Sequence, residues 1–190
     1  MKISTFLLSS LLTLTTVTSN AQADESGFVE DGKVYSIVNL HADHGKTHLY
    51  ALNYQVQRVI PYCSEFTIDD IGRKRIDLIF EGQDWYYSWD GHTRKAGQSL
   101  EENFKLFFAK SCDSVKNKVA SLSEIDKKGI EKGTALIGMS KEGVLIAMGR
   151  PPIHANQNLD SNVWLYMRNK WVKDSVTFND KGTVAELSKN

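Results

Sequence analysis

The sequence predicts an α+β protein: a β-rich N-terminal region with one covering helix, then a unit of order α-α-β-β-β. Three observations predict it. Between residues 34 and 89, short runs of alternating apolar and polar residues are broken by Gly, Asn and Asp, as in short strands. Leu100, Phe104, Phe107 and Phe108 then fall on one helical face. Beyond residue 123, two short capped helical segments precede three strand-like runs joined by Asn- and Gly-containing turns.

Taken in order, residues 34–40 predict a strand. Residues 41–46 carry turn chemistry, and 49–56 predict the return strand of a hairpin. Pro61 interrupts. Residues 65–71 and 75–80 predict two strands around Gly72, Arg73 and Lys74, and 84–89 a fifth, ended by Asp90-Gly91. A helix over 99–110 opens on Ser99 with Glu102, a capping box in which each side chain satisfies a backbone N–H of the other. It covers one face of the sheet and brings Cys112 toward Cys63. The charged, small residues 114–123 hold the boundary between two packed subdomains, 24–113 and 124–190, with no Pro or Gly run to make a flexible linker.

Residues 123–130 predict a short helix and 140–148 a second, N-capped by Ser140. Gly149 stands where a left-handed residue ends a helix, and Pro151-Pro152 forbid its continuation. Residues 163–168 and 171–178 predict a hairpin about Asn169-Lys170, and 183–187 close the sheet after the turn at 179–182. The two helices must bury their apolar stripe on one face of these three strands.

Composition excludes several classes. Lys plus Arg and Asp plus Glu are 23 each among 190 residues, so no net charge draws the chain to nucleic acid. With 41% hydrophobic residues, 3 Pro and 2 Cys, it is neither collagenous, disordered nor a cysteine-stapled miniprotein. Residues 1–23 read as a secretory signal: Lys2, a short apolar region, and the small-x-small site Ala21-Gln22-Ala23. That region of about 12 residues is too short for a membrane anchor, which needs about 20, so a soluble periplasmic product is expected, with no transmembrane segment. No Cys follows Ala23 to carry a lipid. In an oxidising compartment Cys63 and Cys112 are expected to pair. Two unpaired thiols, or a nucleophile with His92 or His154 as base, remain open readings.

The residues Gly138-Met139-Ser140-Lys141, the helix 144–148 ending in Gly149 and Pro151, Trp164-Leu165-Tyr166, and residues 176–184 with Phe178, Gly182 and Val184 form one pattern. Over residues 125–187 it resembles the SmpA/OmlA (BamE-like) family of outer-membrane assembly factors of Gram-negative bacteria. The resemblance implies a BamE-like α-α-β-β-β domain. It also implies a non-enzymatic binding or scaffold role in envelope assembly or maintenance, with an envelope protein or lipid as partner. The helix-plus-sheet unit is similar, too, to that of β-lactamase inhibitor proteins, so inhibition of a secreted hydrolase is an alternative.

Among candidate site residues, His41, His44 and His48, with Asp43 between, are the one dense set of ligand-type side chains, suited to Zn or Cu; a solvated polar loop is the other reading. Trp85, Tyr87 and Trp89 share one face of a strand, as core or as a stacking platform. Arg150, His154 and Asn156 lie on a stiff proline loop and are the expected partner-binding residues. No nucleophile elbow, phosphate loop, zinc-protease motif or dinucleotide fingerprint occurs, so neither an enzyme nor a cofactor is expected.

Overall fold

Alternation along three consecutive strands builds the first half. In the computed structural model, which describes residues 27–189, β5 (Glu65–Ile71), β6 (Arg75–Phe80) and β7 (Gln83–Ser88) form an antiparallel meander. Its inner face buries Phe66, Ile68, Ile76, Leu78, Phe80, Trp85 and Tyr87. Glu81 and Gly82 both take positive φ (52° and 72°), the mirror-image turn that matches strand twist between β6 and β7. The secretory signal expected at residues 1–23 lies outside the described residues.

The meander is extended at both sides into a curled, half-barrel sheet of order β3-β7-β6-β5-β1-β8. Here β1 is Lys33–Ser36, β3 is His48–Tyr50 and β8 is Phe108–Ala109. The hairpin expected between 34–40 and 49–56 does not form. β1 pairs with β5 and β8, whereas β3 runs parallel to β7 at the far edge. The run 34–40 breaks because Asn39 is buried as a polar bridge. Its Nδ2 donates to Ile130 O (2.6 Å) and Ala147 O (3.3 Å), and its Oδ1 accepts from Tyr62 N–H (2.9 Å). After it, β2 (Leu40–Ala42) pairs with β4 (Arg58–Ile60).

Two short helices follow, α1 (Gly91–Lys95) and α2 (Leu100–Phe104). The capping box of Ser99 and Glu102 is present, but α2 ends five residues on because Phe108 is drawn into the sheet as β8. Phe104 and Phe108 stack at 4.3 Å over the same core. Most of the expected boundary segment 114–123 is instead helix α3 (Asp113–Ser121), with Val115 in a second hydrophobic cluster. Cys63 and Cys112 are joined by a disulfide, with Cα atoms 5.4 Å apart.

The second half holds α4 (Glu124–Lys132), α5 (Lys141–Met148) and the antiparallel sheet β11-β10-β9, from β9 (Val163–Met167), β10 (Lys173–Phe178) and β11 (Val184–Lys189). Ser123 and Ser140 cap the two helices. Met139 is fully buried beside Gly129, and Trp164, Tyr166, Val176 and Phe178 form the sheet's inner face. The chain is therefore mixed α+β around two hydrophobic clusters. Among the described residues, no helix is long and apolar enough to cross a membrane.

A polar seam joins the halves. The last carbonyls of a helix have no partner within it. In α5 they are taken by donors from the first half: Asn39 N–H to Ile146 O, Asn39 Nδ2 to Ala147 O, and Asn53 Nδ2 and Gln55 Nε2 to Met148 O.

Candidate functional site

Beyond α5 the chain forms a strap, residues 149–157, whose shape is set by close approach. Gly149 has φ +70°, and a Cβ there would lie 2.8 Å from Asn53 Nδ2 and 3.1 Å from Phe107. Asn53 Nδ2 also donates to Arg150 O (3.0 Å), and the buried Tyr166 hydroxyl donates to Gly149 O (2.9 Å). Burial pushes the Tyr166 phenol well up, so it stays a donor.

Of the three residues expected to face a partner, Asn156 does not. It is 7% exposed, and its Nδ2 donates to Pro152 O (3.0 Å) and Leu165 O (2.9 Å) while its Oδ1 accepts from Leu165 N–H (2.8 Å). A primary amide satisfies a strap and a strand edge at once, so Asn156 is a clamp that fixes the strap to β9. Arg150 and His154 remain partly exposed.

His154 faces α1. Its ring centre is 5.0 Å from that of His92, at 33° between planes, and its Nδ1 is shut from solvent with no hydrogen-bond partner. The two rings, with Lys95, Ala96, Ile153 and Gln157, line an open cleft of about 490 Å3. Burial chiefly, and then His92, lowers the His154 pKa; Asp90 opposes this and Lys173 adds to it.

The histidines expected to gather at a metal are dispersed. His41 on β2 is buried, its Nδ1 and Nε2 each 3.4 Å from the carbonyls of Val56 and Ala147. His44 is exposed on the turn. His48 on β3 lies with Nε2 2.5 Å from Ser88 Oγ and stacks on Tyr86 at 4.1 Å. The cause is the failed hairpin: β2 pairs with β4 and β3 with β7, so the two strands carry their imidazoles apart. Among the described residues, no group of three or more His, Cys, Asp or Glu side chains is placed to hold a metal ion. Trp85 and Tyr87 are core, not a platform.

Burial lowers the pKa of three histidines, and for His48 the value falls to about 4. The unfolded chain takes up these protons near pH 6.5, the folded chain only at lower pH. Their contribution to stability is complete above about pH 6.5 and is lost as pH falls toward the folded values. Urea midpoints should therefore drop between about pH 6.5 and about pH 5, where carboxylates are still ionised. His48→Gln should flatten part of that drop. Midpoints that stay level or rise on acidification contradict the assignment.

A further residue escaped the sequence reading. Trp171, expected to open a strand, sits in the turn between β9 and β10 and is 79% exposed. Asn169 Oδ1 accepts from the N–H groups of Trp171 (2.8 Å) and Val172 (3.0 Å), and Arg168 N–H donates to Val172 O. The turn is thus held closed, and the indole, with Lys170 Nζ 4.9 Å from its centre, is displayed at the tip. The signal available was a Trp two residues after Asn169, directly behind the polar run Arg168-Asn169-Lys170. A second cleft, of about 510 Å3, is lined by residues of β10 and β11, by residues 132–136, and by His41, Gln55 and Met148. Comparison of the chain with family models, with curated proteins and with solved structures finds no match.

Proposed function

We propose that the chain is a soluble binding or scaffold protein of the bacterial envelope. On this reading it is exported by the signal at residues 1–23, and its C-terminal half is a BamE-like unit of the SmpA/OmlA kind. The observation that carries it is Trp171, an exposed indole on a hydrogen-bonded hairpin tip that belongs to neither hydrophobic cluster. Trp is among the residues that most often dominate protein interfaces, because a large rigid ring buries much area with little entropy loss. The rest of the hairpin is anchored: Val176 and Phe178 of β10 and Trp164 and Tyr166 of β9 are core, so the tip is presented by a stiff arm. The partner is an envelope protein that offers an apolar pocket for the indole beside acidic groups for Lys170.

A photo-crosslinking amino acid at position 170, in cells exporting the chain, tests this. One envelope protein should be trapped when Trp171 is present and lost in Trp171→Ala. The same variant should unfold within about 0.5 kcal/mol of the parent, since the ring supports no core. Equal trapping with and without Trp171, or no envelope adduct, sinks the reading.

A further inference from the structure

We infer that His92 and His154 form an open two-imidazole site for a borderline divalent metal ion, of the class of Zn2+, Ni2+ or Cu2+, in the cleft between α1 and the strap. The spacing of the two rings suits one shared ion. A ring nitrogen lies about 1.1 Å from its ring centre and a metal–nitrogen bond is about 2.1 Å, so two imidazoles sharing one ion at about 90 to 109° hold their centres about 4.5 to 5.2 Å apart. The observed separation is 5.0 Å.

The second observation is His154 Nδ1, buried with no partner. A buried ring nitrogen left unpaired carries an uncompensated desolvation cost, which coordination to an ion would relieve. The third is room: the cleft of about 490 Å3 is open, so water or a small ligand can fill the remaining coordination positions. No third His, Cys, Asp or Glu is placed to complete the set among the described residues, so the ion is held by two protein nitrogens and exchanges readily.

The groups around the pair set its strength and pH dependence. These are Asp90, the N-cap of α1, and Lys95 within it; on β10 it is Lys173; on the strap it is His154 itself. Asp90 favours a cation, although its carboxylate also accepts from the backbone N–H groups of His92 (2.7 Å) and Thr93 (3.1 Å) and from Thr93 Oγ1. Lys95 and Lys173 oppose one. The lowered His154 pKa keeps its ring neutral, as a ligand must be. The ions that suit imidazole follow the usual order, with Cu2+ above Ni2+.

The test is calorimetric titration of the purified full chain with Ni2+ or Zn2+ at about pH 7.5 and about pH 5.5, across the range where histidine protons compete with metal. One equivalent should bind, more weakly at the lower pH. Losing even an outer-shell partner weakens a metal site about 10- to 100-fold, so His92→Ala and His154→Gln should each weaken binding by about tenfold or more. His44→Ala, on the exposed turn, should leave affinity unchanged. As a readout free of any variant, Ni2+ should broaden the imidazole resonances of His92 and His154 ahead of His44. Undetectable binding, parental affinity in either variant, or broadening at His44 first overturns the assignment. The site does not depend on the Trp171 reading, and either can fail without the other.

Discussion

Replacing Cys63 and Cys112 together with Ser is expected to lower stability by about 4 kcal/mol. The disulfide closes a loop of 49 residues, and a cross-link of that span removes that much chain entropy from the unfolded state. Its placement adds to the effect. Cys63 follows β4 at φ +65°, held by its N–H on Ser36 O (2.7 Å), and Cys112 opens α3 inside the second cluster. The bond therefore fastens the turn before β5 to the half that β5 does not belong to. Without it, the halves rest on the amides of Asn39, Asn53 and Gln55 and on side chains such as Ile37 that touch both clusters. Urea unfolding checks this: the double variant and the thiol-reduced parent should share one lowered midpoint. A variant within about 1 kcal/mol of the oxidised parent would show that the loop is already restrained in the unfolded chain.

What the sequence displays is local chemistry. The alternation of Phe66, Ile68, Ile76, Leu78, Trp85 and Tyr87 appears as three strands, and the Ser99–Glu102 box and the Ser140 cap lie where their residues predict. Gly149 takes positive φ after α5, but its ψ of 179° is extended, so it is not the left-handed helix-ending residue expected there. What it hides is long-range pairing. Nothing near β3 announces that three residues will run parallel to β7, and the strand expected over 34–40 is broken by an amide whose partners are 91 and 108 positions away. α3 reads as a charged spacer because its inward face holds little more than Val115 and Val119. The same limit governs the site. His154 stands out beside two prolines, but its neighbour His92 lies 154 − 92 = 62 residues earlier on a five-residue helix. His41 looks like a ligand by spacing alone, yet it is spent against the end of α5.

The second large effect is expected at Asp126, a 3% exposed carboxyl in the first turn of α4. Its Oδ1 accepts from the backbone N–H (2.7 Å) and hydroxyl (3.0 Å) of Ser140, and its Oδ2 from the hydroxyl of Ser123 (2.6 Å). Ser123 and Ser140 are the N-caps of α4 and α5, so one side chain positions the starts of both helices. Asp126→Ala removes the acceptor of three donors, two on half-buried Ser140 and one on Ser123, and should cost about 2 to 3 kcal/mol. Asp126→Asn keeps an oxygen for Ser140 and can donate to Ser123, so it should cost about 1 kcal/mol. Gly143, in the first turn of α5, faces the same carboxyl, and a Cβ there would overlap it. Gly143→Ala should therefore destabilise by about 1 to 3 kcal/mol, against the gain of about 0.5 to 1 kcal/mol that Ala brings to an open helix. The pair must be coupled. Truncating Asp126 removes the atoms nearest the new methyl, leaving only its own Cβ at 2.9 Å, so the double variant should recover part of the summed loss. Urea midpoints of the four proteins measure that coupling directly. Strict additivity would mean the two helices do not meet through Asp126 and Gly143.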